Sequence, residues 1–153
     1  MTGYRAAKPA WVDPGSYPVE ERLRKGMKQC ADEVLLVDVG GGLGHDLKLL
    51  KQKHPQRRGQ LILHDKEEVM RQQISETSNS FEEMAHEIFT PQPGKGARAY
   101  HLHSVLHDWD DASCLTSLRD IASAMEKGYS KLLIMSSSCQ TRVQAGLSQA
   151  WIG

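Results

Sequence analysis

The chain has 153 residues, 19 basic and 19 acidic, of which 39% are hydrophobic, 25% charged and 6% aromatic. That length suits one domain with its own core, and the balanced charge removes the main electrostatic reason to expect a nucleic-acid or anionic-membrane partner. No apolar run approaches the roughly 18 residues of a membrane span, the N-terminus lacks the apolar segment of a secretory signal, and three scattered cysteines (Cys30, Cys114, Cys139) without a CxxC speak against a disulfide framework or zinc knuckle; a soluble cytoplasmic chain is expected.

Residues 1–17, with Pro9, Pro14 and Gly15, read as an irregular lead-in, residues 18–135 as the domain, and residues 136–153 as an atypical polar tail. Val19–Lys28 is charged and weakly helical, with Leu23 and Met27 four apart on one face. Val34–Val39 (VLLVDV) is nearly all apolar, as in a strand buried on both faces of a parallel sheet. Helical spacing resumes at Leu47, Leu49 and Leu50 and stops before Pro55. A strand at Gln60–Leu63 and a helix at Lys66–Ile74 follow, then Glu82–Phe89, ambiguous by pattern and read as a short strand, and another strand at Ala97–Leu106. Ala112–Met125 sets Leu115, Leu118, Ile121, Ala122 and Met125 on one helical face, and Lys131–Met135 (KLLIM) is a last strand. Strands alternating with helices indicate βαβ units: an α/β, Rossmann-like fold with a mostly parallel sheet and helices on both faces.

The segment VDVGGGLGHD, Val37 to Asp46, joins a buried strand to a helix. Glycines there let the backbone turn tightly and approach a ligand, although a plain glycine turn has the same composition. The dinucleotide pattern G-x-G-x-x-G fails at its last position, which is His45, whereas D-x-G-x-G-x-G is met by Asp38, Gly40, Gly42 and Gly44. An acid beside the loop suits a ligand with a cationic amine better than a diphosphate, which disfavours a nicotinamide-dependent oxidoreductase. Asp65 directly follows the second strand, and alone would read as a helix cap. With the glycine loop about 20 residues upstream, the stronger reading is a carboxylate for ribose hydroxyls.

The blocks LLVDVGGGLGHDL, LILHDKEEV and FTPQPGKGARAYHLHSVLHDWDD, in that order, resemble the cofactor domain of S-adenosylmethionine-dependent O-methyltransferases of the caffeic-acid type, in particular the fungal branch associated with secondary metabolism. The resemblance runs from about Met1 to Met135. It implies a class I methyltransferase domain that binds S-adenosylmethionine and passes a methyl group to a hydroxyl of a small phenolic or polyketide-like acceptor. By position it assigns the cofactor to Asp38, Gly40, Gly41, Gly42 and Gly44, to Asp65, to Glu87 and Ile88 beside the adenine, and to His103, where plant enzymes carry a lysine. The catalytic base falls on His107 in LHDW. A phenol near pKa ~10 and a histidine near ~6.5 differ by about 5 kcal/mol in proton affinity, so the base takes the proton as the oxygen attacks.

The chain also departs from the family. Relatives carry a helical dimerisation and substrate-lid domain before this one, through which they form homodimers, and nothing here corresponds to it. Ser136 stands where a glutamate supports the catalytic histidine, and a second acid and the last two strands would fall beyond Gly153. The expectation is a truncated domain with little turnover of its own, one that at most binds cofactor, and whose KLLIM strand lies at an exposed sheet edge and promotes association.

Seven histidines are many for this length, and His101 and His103 share a strand face. With Asp108, Asp110 or Asp111 they could hold a metal, but no third ligand with an ordered surround is evident, so no metal site is expected. Asp108 is assigned to capping the next helix, Trp109, Met70 and Met125 to packing, and the Lys51, Lys53, Arg57, Arg58 stretch to a solvated face.

Overall fold

A computed structural model describes residues 19–42, 44–55, 58–71, 81–103 and 109–135. Five strands, β1 (Val34–Val39), β2 (Gln60–Asp65), β3 (Glu82–Ala85), β4 (Ala99–His103) and β5 (Lys131–Met135), form one sheet in the order β3-β2-β1-β4-β5. Every neighbouring pair is parallel, so all carboxyl ends meet at one edge. Four helical elements accompany them: α1 (Glu20–Arg24, a single π-helical turn), α2 (His45–Lys53), α3 (Glu67–Arg71) and α4 (Asp111–Ala124). None of them is long and apolar enough to cross a membrane.

Strand alternation divides the core between the two sheet faces. On one face Val37, Val39, Ile62, Tyr100, Leu102 and Ile134 pack against Cys114, Leu118 and Ile121 of α4. On the other, Leu36, Leu61, Leu63, Ala99 and Leu133 meet Leu47 and Leu50 of α2 and Leu23 of α1. The near-continuous apolar runs of β1 and β2 are what a strand covered on both sides requires. β1 carries an irregularity, pairing Val34 with Gln60 but Leu36 with Leu61, which admits one extra residue, Leu35, into the buried layer.

Several elements differ from their sequence expectation. The helix at Val19–Lys28 contracts to one turn, because Gly26 takes φ +82 and the side chain of Arg98 captures the carbonyls of Arg22, Leu23 and Lys25. The α4 stripe is Cys114, Ser117, Leu118, Ile121 and Ala124, and Leu115 faces solvent at 41% exposure. Trp109, assigned to the core, is 38% exposed. The residue at the N-cap position of α4 is Asp110; Asp108 lies outside the described residues. Met70 and Met125 do pack against the core. Cys30 and Cys114 are free thiols. At the sheet margin β5 is paired with β4 alone among the described residues.

Candidate cofactor-binding site

The chain order reverses between β1 and β4, and in open parallel sheets the crevice above that reversal is where ligands bind. The glycine loop sits over it. Gly40, at φ +69, turns the chain out of β1, and the N–H groups of Gly40 and Gly41 both donate to His64 O, at 2.7 and 3.1 Å. This folds the loop back onto the end of β2. Gly42 (φ +61) has nothing among the described residues within 4 Å of where a Cβ would stand, which leaves space on that side of the loop.

Gly41 is closed instead. A Cβ there would lie 2.4 Å from both Asp38 Oδ2 and Leu63 Cδ1, and those side chains are wholly buried. Gly41→Ala is therefore expected to lower stability by about 1–3 kcal/mol through overpacking. Urea unfolding checks this, and an unchanged midpoint would show that Asp38 can move aside freely.

Asp65 is half-buried at the end of β2 and joins the loop to α3. Its Oδ2 accepts from Gly42 N–H at 2.7 Å and its Oδ1 from Lys66 N–H at 2.7 Å. It does not occupy the α3 cap position; the carbonyl of Lys66 starts that helix, accepting from Val69 and Met70. A carboxylate offers about four acceptor sites, so two remain for a diol.

Asp38 turns inward beneath Gly41 rather than out at the loop mouth. It is fully buried, with Oδ1 3.2 Å from His101 Nδ1. Its Oδ2 is buried with no hydrogen-bond partner among the described residues. On the same sheet face, the Nδ1 of half-exposed His103 lies 2.6 Å from Asp46 Oδ2 in the first turn of α2. The Asp46 hydrogen bond raises the His103 pKa above the ordinary imidazole value, against the opposing effect of burial. Sequence reasoning missed Asp46 and the use of His101. The available signal was an acid in the first turn of the helix that crosses over a His-x-His face.

Beyond β3, Glu87 is exposed in a turn, its carbonyl accepting from Thr90 N–H at 3.0 Å. Ile88 is 9% exposed and belongs to the core layer with Val37 and Ile62. Phe89 meets Trp109 edge-on at 4.7 Å between ring centres, with Lys66 Nζ 6.0 Å from the same indole. The opposite sheet face carries a second polar group: His64, 1% exposed, stands 5.1 Å from the ring of His86, with buried Gln92 nearby in that loop. Burial, helped by repulsion from His86, lowers the His64 pKa to about 4. The expected base His107, and Leu43 of the loop, lie outside the described residues.

Residues 26–150 match the family model of the O-methyltransferase domain. The chain is similar to O-methyltransferase mpaG of Penicillium roqueforti, at 45% identity over 88% of this chain and 34% of that protein. It is also similar to O-methyltransferase ATR12 of Stachybotrys chlorohalonatus, at 41% identity over 98% and 37%. The chain thus spans about a third of the length of these curated relatives. Among solved structures it resembles OxaC in complex with S-adenosylhomocysteine and oxaline (TM-score 0.69, 26% identity, 90% of this chain and 36% of that one). It resembles equally a protein described as a pericyclic reaction enzyme (TM-score 0.74, 28% identity, 95% and 39%).

Proposed function

The chain belongs to the O-methyltransferase domain family, and from that premise we propose that residues 18–135 bind S-adenosylmethionine at the carboxyl edge of the sheet and serve methyl transfer to a hydroxyl of a small phenolic or polyketide-like acceptor in fungal secondary metabolism. One observation carries the cofactor reading: Asp65, held by Gly42 and Lys66 N–H groups, keeps acceptor capacity beside the space at the Cβ-less side of Gly42. Gly40, Gly41 and Gly44 shape the loop around that opening, Glu87 and Ile88 flank the adenine end, and His103 contributes a cation at the methionine end. Asp38, fully buried beneath the loop with one oxygen lacking a hydrogen-bond partner among the described residues, adds negative charge under that opening for a cationic group on the ligand. When bound, the cofactor supplies an activated methyl on a sulfonium. The chain's own part is to orient the acceptor in line with it and, through His107, to take the hydroxyl proton.

Asp65→Ala is expected to weaken S-adenosylmethionine binding by about 1.5–3 kcal/mol through loss of charge-assisted hydrogen bonds, measured by calorimetric titration. Equal affinity in a folded variant would overturn the ribose role. Likeness to a pericyclic reaction enzyme favours a second reading, a cofactor-binding domain that transfers no methyl. Mass spectrometry of a phenolic acceptor after incubation separates the two, since methyl transfer lost in His107→Ala is expected only under the first.

A further inference from the structure

We propose that Asp46, His101 and His103 form a binding site for a borderline-soft divalent cation such as zinc. The three side chains come from two elements, the first turn of α2 and β4, and present ligand atoms that all lie within 4.8 Å of one another. His103 Nδ1 and His101 Nδ1 stand 2.6 and 4.0 Å from the same oxygen, Asp46 Oδ2. Donors around a tetrahedral zinc stand roughly 3.3 Å apart, given bond lengths near ~2.0 Å. The observed separations bracket that value, so small rotations of half-exposed His103 and partly buried Asp46, with buried His101 fixed, would close the set.

The surroundings favour a cation. Buried Asp38 lies 3.2 Å from the same His101 Nδ1, so a cation held by that nitrogen would meet a second carboxylate within reach. Two carboxylates, Asp38 and Asp46, face two imidazoles here, which leaves the cluster net negative whenever the rings are neutral. Two imidazoles and one carboxylate are a donor set that zinc, nickel and copper prefer to calcium or magnesium. The His-x-His spacing was visible in the sequence; the missing third ligand is Asp46, which only the packing of α2 on β4 brings to it. The site shares His103 with the cofactor reading above, so a bound metal would obstruct the methionine end of that crevice.

The experiment titrates the full chain with zinc chloride alone, by calorimetry, and with copper(II) alone, by electron paramagnetic resonance. One equivalent of zinc and nitrogen coupling from two imidazoles are expected. Asp46→Asn and His103→Ala should each weaken zinc binding by about tenfold or more, while His54→Ala, on the far end of α2, leaves it unchanged. Circular dichroism verifies that the variants fold. Failure of the wild-type chain to bind zinc, or binding indifferent to both substitutions, overturns the site. A parallel titration with S-adenosylmethionine in a chelator keeps the two readings apart, because loss of zinc binding with cofactor binding intact refutes only the metal site. Cofactor affinity that falls when zinc is present is the expected sign of the shared residue.

Discussion

Arg98→Met is expected to destabilise the fold by about 3–5 kcal/mol in urea unfolding. Arg98 is 7% exposed at the start of β4. Its Nε donates to Leu23 O at 2.9 Å, its Nη2 to Lys25 O at 2.8 Å and Arg22 O at 3.3 Å, and its Nη1 to Tyr129 O. The guanidinium also lies 4.8 Å from the Tyr129 ring centre. Methionine keeps the apolar stem but leaves those carbonyls without their shared donor, and α1 loses its polar attachment to the sheet while keeping only the packing of Leu23. Arg98→Lys should recover only part of the loss, because one ammonium cannot reach carbonyls spread around a planar fork. A loss below about 1 kcal/mol would mean that water replaces the guanidinium adequately.

The second large effect depends on pH. The His64 pKa is about 4 in the folded chain, against about 6.5 for a free imidazole. Between these values the unfolded chain binds the extra proton and the folded one does not, so stability is full above pH 6.5 and falls as pH drops. The loss attributable to His64 reaches about 2 kcal/mol by pH 5 and about 3 kcal/mol by pH 4. His103 works in the other direction: its raised pKa gives stability present below pH 6.5 and lost as pH rises through the folded value. Comparing wild type with His64→Leu isolates the first effect from this and from carboxylate titration. The variant should lose that much less stability between pH 7 and pH 4, and parallel curves would refute the assignment.

The strands were legible where one physical demand dominated. β1 and β5 match VLLVDV and KLLIM because a strand covered on both faces needs an unbroken apolar run. β3 is mostly exposed and reads EEMA, so no burial pattern marked where it ends. The α4 stripe was misplaced by one position because Cys114, Ser117 and Ala124 fill the interface while Leu115 does not, and small residues carry little weight in a hydrophobic pattern. At the site, the loop glycines and Asp65 were visible as motif positions. The inward turn of Asp38 was not, since it follows from the Cβ-free space at Gly41. The meeting of Asp46 with His103 spans 57 residues of chain, and no local spacing encodes it.

The strand order also has a consequence for how the chain folds. β1 pairs on one side with β2, its next strand, and on the other with β4, which begins only at Ala99 after the chain has laid down β2 and β3. Closing the longer loop costs more entropy and is repaid later, so the β1–β2 half should form first and the β1–β4 seam last. Pulse-labelled amide exchange during refolding should find protection in Leu61–Leu63 before Tyr100–Leu102. The crevice above the reversal point is created by that final docking and does not exist in the half-assembled sheet. A ligand seated there would bind the finished molecule and not its precursors, raising the barrier to reopening the last-formed seam.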